Sequence, residues 1–295
     1  MLKNNLTLLF CKAFNIVVNI GGTVTKDLDL VYKSLFLKNG MPRHISVFVS
    51  GINNIGTSWC SLNLAYALTL EQKKVFLVDG NGNFSNISSY MFLKNIHPIE
   101  EYFDGNKTLN QLICAYKTQN FHILTAIAGG NYLAECPLGR IHVFADDLRT
   151  LAQNYDQTII DLGTDLTLKN LGLCQIADNI FIMCSENSHD LVKTLDIIHF
   201  INKMNLAANC YLIINRVDSF EDGYKIYKEL YKAVERNGLT MPSLLGMVRF
   251  DTRIRDTIKN KELLLSRYPA SEAAIDIGNI AKKLCTESEY EQKNI

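Results

Sequence analysis

Gly51-Ile52-Asn53-Asn54-Ile55-Gly56-Thr57-Ser58 has the residue types and spacing to hold an anion. It follows the short apolar run Ile45-Ser46-Val47-Phe48-Val49-Ser50, which reads as a strand, and it precedes a helix-forming segment from Trp59 to Leu70. A strand, a tight loop and a helix N-terminus turn backbone N–H groups and the positive end of a helix dipole toward a phosphate. Gly51 and Gly56 allow close backbone approach with no Cβ in the way. By itself this glycine spacing also suits an ordinary strand-to-helix turn.

Two further apolar runs end in carboxylates: Val75-Phe76-Leu77-Val78 ends in Asp79, and Gln157-Thr158-Ile159-Ile160 ends in Asp161. An Asp closing a buried strand beside a phosphate loop, as Asp161 does, suits magnesium. A third strand, Tyr211-Leu212-Ile213-Ile214, ends in Asn215-Arg216-Val217. An Asn amide offers a donor and an acceptor together, which suits a purine edge.

The elements that must position these residues are legible. Further strands are expected at 121–125, 179–184 and 244–248, all continuously apolar. Strands without alternation are buried on both faces, which implies a parallel sheet. Helical spacing covers 58–71, 138–154, 188–204 and 220–236. Alternating strand and helix predicts a doubly wound α/β fold, mostly parallel, with right-handed crossovers. Residues 41–285 are expected to form that domain. Residues 1–40 lie outside the pattern: they are either an N-terminal helical extension or codons upstream of a start at Met41. Residues 286–295 read as a polar, frayed tail.

Composition excludes several classes. The chain has 295 residues, 47% of them hydrophobic, with 30 basic against 30 acidic side chains, which gives no sign of a nucleic-acid face. The eight cysteines include no C-x-x-C pair and sit mostly in apolar runs, as free thiols of a reducing compartment do. The six histidines show no metal spacing, and no nucleophile elbow is present. No apolar run approaches the ~20 residues of a membrane span. A cytoplasmic location, peripheral to a membrane through partners at most, is expected.

Taken together the motifs resemble the MinD/ParA family of P-loop ATPases. Its deviant Walker A loop reads K-G-G-x-G-K-[ST], followed by N-L-A-x-x-L; this chain has Asn63-Leu64-Ala65-Tyr66-Ala67-Leu68. Tyr155-Asp156-Gln157-Thr158-Ile159-Ile160-Asp161 resembles the family's Walker B strand, and Asn215-Arg216-Val217 its adenine-reading N-R-V. Leu245-Gly246-Met247-Val248-Arg249-Phe250-Asp251 and Tyr268-Pro269-Ala270-Ser271-Glu272-Ala273-Ala274 resemble the FlhG/FleN/YlxH branch. The resemblance covers 44–285. It implies a site for ATP or ADP made by Gly51, Asn53, Asn54, Ile55, Gly56, Thr57, Ser58, Asn215 and Arg216, with magnesium on Ser58, Asp79 and Asp161. It also implies protein partners and a homodimer.

The departures fall on the chemistry. Ile52 stands at the signature lysine, which in the family reaches the partner's nucleotide across a dimer. Asn53 and Asn54 replace a glycine pair, Thr57 replaces the P-loop lysine, and Asn81 replaces the Asp that orients the attacking water. Asp165 replaces a glycine that senses the γ-phosphate. Each lysine's charge-assisted bonds are worth roughly 1.5–3 kcal/mol, about 10- to 150-fold in affinity. The expectation is a pseudo-ATPase or very weak ATPase that works through partners. A genuine ATPase drawing charge from Arg216, Arg249 or a partner, and an interaction module that uses no nucleotide, are the alternatives.

Overall fold

A computed structural model describes residues 44–293, apart from 82–86, 94–96, 128–129, 131, 133–135, 165–167 and 207. The expected N-terminal extension and Asp165 lie outside the described residues. Eight strands run β1 (His44–Ser50), β2 (Val75–Asp79), β3 (Cys114–Tyr116), β4 (Thr118–Leu124), β5 (Gln157–Asp161), β6 (Asn179–Cys184), β7 (Asn209–Val217) and β8 (Ser243–Arg249). They form one sheet in the order β3-β4-β2-β5-β1-β6-β7-β8. Every pairing is parallel except β3 with β4. The chain therefore has the doubly wound α/β fold that its apolar strands predict.

The helices are α1 (Thr57–Leu70), α2 (Glu100–Phe103), α3 (Leu109–Leu112), α4 (Leu138–Ala152), α5 (Leu168–Gln175), α6 (Ser188–Met204), α7 (Phe220–Arg236), α8 (Arg253–Asn260), α9 (Leu264–Arg267) and α10 (Glu272–Lys293). They cover both faces. In β1, Ile45, Val47 and Val49 join the core with α4, α6 and α7, while Phe48 joins the core with α1 and α10. Helix α1 is apolar nearly all round because it is buried nearly all round, Tyr66 and Leu70 excepted. Asn63 donates to Trp59 O at 2.9 Å and accepts Leu264 N–H at 2.9 Å, tying α1 to α9.

Helix α10 runs to Lys293, through most of the segment expected as a polar tail. Sequence patterning missed β3, an antiparallel edge of three residues that is too short to carry a period.

Candidate functional site

The sheet order sets the site. Strand β1 lies between β5 and β6, so the chain turns from its C-terminal end into α1 at the point where connections diverge to both sides. That crevice is where open α/β sheets bind ligands. The loop 51–56 crosses it with Asn54 at φ 66° and Gly56 at φ 95°. Gly56 is required twice over: its backbone is left-handed, and a Cβ there would lie 2.6 Å from Asn215 Nδ2. Gly51 lets the loop pass the backbone of Lys193, which a Cβ would meet at 2.7 Å.

Asn53, Asn54, Gly56, Thr57, Ser58, Asn81, Tyr90, Gly163 and Thr164 line a shallow pocket of about 320 Å³, open mouth included. Every lining side chain is uncharged. Positions 52 and 57 present no charge to the pocket: Ile52 packs partly buried against the α1 core, and Thr57 donates its hydroxyl to Ser50 Oγ at 2.8 Å. Ser50 Oγ in turn lies 3.2 Å from Gly163 O and 3.3 Å from Ile52 O. Thr164 Oγ1 donates to Asn53 Oδ1 at 2.9 Å, and Ser50 N–H to Gly163 O at 2.9 Å. The loop after β5 is thus bonded onto the phosphate loop. Gly163 allows that contact, since a Cβ there would lie 2.6 Å from the Asn81 side chain.

Asn81 donates its amide to Ser58 Oγ at 3.0 Å. An amide in place of a carboxylate binds the serine and has no basic oxygen to take a proton from water. Asp79 and Asp161 face each other in register on β2 and β5, both fully buried. Asp79 accepts the N–H groups of Asn81 and Ser88, each at 3.3 Å. Burial, and then the charge of Asp161, raise Asp79 well above the usual carboxylate range. Burial pushes Asp161 up to about 6, although Ser58 and the Gly163 N–H favour its charged form. Its Oδ1 accepts Gly163 N–H at 3.1 Å, whereas Oδ2 is buried with no hydrogen-bond partner among the described residues. A buried carboxylate oxygen left open beside a serine hydroxyl fits a divalent cation. Among the described residues no cluster of three His, Cys, Asp or Glu exists, so such a cation would draw its other ligands from phosphate or water.

Asn215 and Arg216 brace the loop. Asn215 Nδ2 donates to Ile55 O at 2.7 Å and its Oδ1 accepts Arg216 N–H at 2.9 Å, so both ends of the amide bond to this chain itself. Arg216 Nη2 donates to Asn54 O at 2.6 Å. Arg249 is committed elsewhere: it grips Asp276 through Nε and Nη2, each at 2.9 Å, and Glu272 through Nη1 at 2.8 Å. Sequence reasoning missed Ser50, Tyr90, Gly163 and Thr164. Only the strand-end position of Ser50 and the glycine after Asp161 gave a hint of them.

No protein-family model matches the chain. The antiactivator FleN of Pseudomonas aeruginosa is 18% identical over 247 residues, which is 82% of this chain and 86% of FleN. The flagellum site-determining protein YlxH of Helicobacter pylori is 23% identical over 266 residues, 87% of this chain and 86% of YlxH. Among solved structures, the septum site-determining protein MinD of Pyrococcus horikoshii, complexed with Mg-ADP, superposes with a TM-score of 0.69 at 19% identity. That match covers 82% of this chain and 95% of MinD. The solved structure establishes the fold; with the two curated relatives it supports the MinD/ParA family, on its FlhG/FleN side.

Proposed function

We propose that this chain, with its MinD/ParA fold and relatives on the FlhG/FleN side, is an FlhG-like regulator that acts by binding protein partners. It governs the positioning or assembly of a cellular structure, and the names of its curated relatives favour the flagellum. Its nucleotide site hydrolyses ATP very weakly or not at all. The observation that carries this reading is a phosphate pocket with only neutral side chains on its walls, with Thr57, Ser58, Asn81, Asn53 and Thr164 engaged in hydrogen bonds within the chain. Phosphoryl transfer depends on fixed positive charge where negative charge develops and on a group that orients the attacking water. Positions 52, 57 and 81 supply neither.

The cation corner survives. Ser58 and Asp161 would hold magnesium with Asp79 behind them, and the ion would neutralise charge on phosphate oxygens. The Mg-ADP bound by the Pyrococcus horikoshii protein supports nucleotide as the ligand. Removing the gene from its source organism tests the cellular role. Flagellar number or placement is expected to change and to be restored by the intact chain. Unchanged flagella would overturn the flagellar assignment.

A further inference from the structure

Helix α8 presents one well-defined face to solvent. At about 3.6 residues per turn, Arg255, Ile258 and Lys259 lie together on the side opposite Thr257, which is fully buried. Arg255 and Lys259 are exposed, and Ile258 between them is 40% exposed. The acids of this stretch are spent elsewhere. Asp251 accepts Arg253 Nε at 3.1 Å, and Asp256 accepts Arg267 Nε at 2.7 Å and the Tyr268 hydroxyl at 2.8 Å. Glu262, past the helix, accepts Arg267 Nη1 at 2.6 Å. Arg255, Lys259 and Lys261 form no ion pair among the described residues.

Apolar side chains stand among these cations. Lys261, at the C-cap of α8, places its Nζ 5.2 Å from the centre of the Phe92 ring. Phe92 is 70% exposed, more than any other large apolar side chain among the described residues. Phe250, just ahead of α8, is also exposed. One exposed apolar residue is ordinary. Apolar groups interleaved with unmatched cations are the chemistry of an anionic lipid surface, where the first enter the acyl boundary and the second meet headgroup phosphates. Duplex nucleic acid would use the cations and leave Ile258 in water.

We propose that the outward face of α8, with Phe92 beside it, rests directly on an anionic lipid bilayer. A helix of eight residues lies on such a surface and does not span it. Each cation near the leaflet contributes about fivefold in binding, so the contact is weak and reversible. It lies outside the crevice and needs no nucleotide, so its test is independent of the ATPase reading.

The test is sedimentation of the full chain with vesicles of phosphatidylcholine containing phosphatidylserine, and with vesicles of phosphatidylcholine alone. Binding is expected to the first and much less to the second, and to weaken as salt rises. Arg255→Glu with Lys259→Glu is expected to reduce binding by about tenfold or more. Lys228→Glu with Lys232→Glu, which reverses two exposed cations of α7, is expected to leave it nearly unaltered. The sole tryptophan, Trp59, is buried, so Phe92→Trp adds a reporter whose emission is expected to shift to the blue on the vesicles. No binding by the parent, binding indifferent to phosphatidylserine, an equal loss in the two charge variants or an unmoved emission of Phe92→Trp would each overturn the proposal. So would binding of duplex DNA or polyglutamate without binding of the vesicles, which would give the face to another polyanion.

Discussion

At Thr57 a hydroxyl that could have faced a phosphate turns back to Ser50, and at Asn81 an amide holds Ser58. Both groups are neutral, and each is taken up by a hydrogen bond within the chain. Beside them stand two buried carboxyl groups, Asp79 and Asp161, whose charged forms burial disfavours. That arrangement makes stability depend on pH. Asp161 is raised from 3.8 to about 6, so the folded state binds its proton more tightly than the unfolded state. The contribution is fully present below the unfolded value and is lost as pH rises through the folded one. Without magnesium, the stability gap between Asp161→Asn and the parent is expected to open between about pH 4 and 6. From below pH 4 to neutral pH the gap should move in the variant's favour by on the order of 3 kcal/mol. Urea denaturation across that range measures it, and a gap that does not change with pH would show that Asp161 is not held in this environment.

The phosphate loop is held by its flanking elements. The end of β7 fixes two of its carbonyls, and the loop after β5 is bonded to its other side through Gly163 and Thr164. Gly56 is where these constraints meet. Gly56→Ala places a Cβ against the Asn215 amide in a left-handed backbone, and is expected to cost roughly 1–3 kcal/mol of stability in urea titration. Unaltered stability would mean that the loop is free to move away from β7. Ser58, Asp79 and Asp161 were legible in the sequence because each sits at the end or start of an element with a clear apolar pattern. The bracing role of Arg216 was not legible, because it depends on a bulge that no local pattern announces. Nor was the bond from Thr57 to Ser50, which requires the loop to close on itself. The helices α2, α3 and α9, four residues each, are too short to show a period, and tertiary contact decides them.

At the scale of the molecule, an apolar core lies on each face of the doubly wound sheet, and the side chains that line the crevice pocket are all neutral. Among the described residues no helix is long and apolar enough to cross a membrane. Steady-state ATP turnover of the purified chain with magnesium, side by side with a MinD-type ATPase that has both lysines, tests most directly whether the crevice hydrolyses ATP. Turnover at least about a hundredfold slower is expected, from the loss of fixed charge and of the water-orienting carboxylate. Turnover at the rate of the intact ATPase would contradict the account.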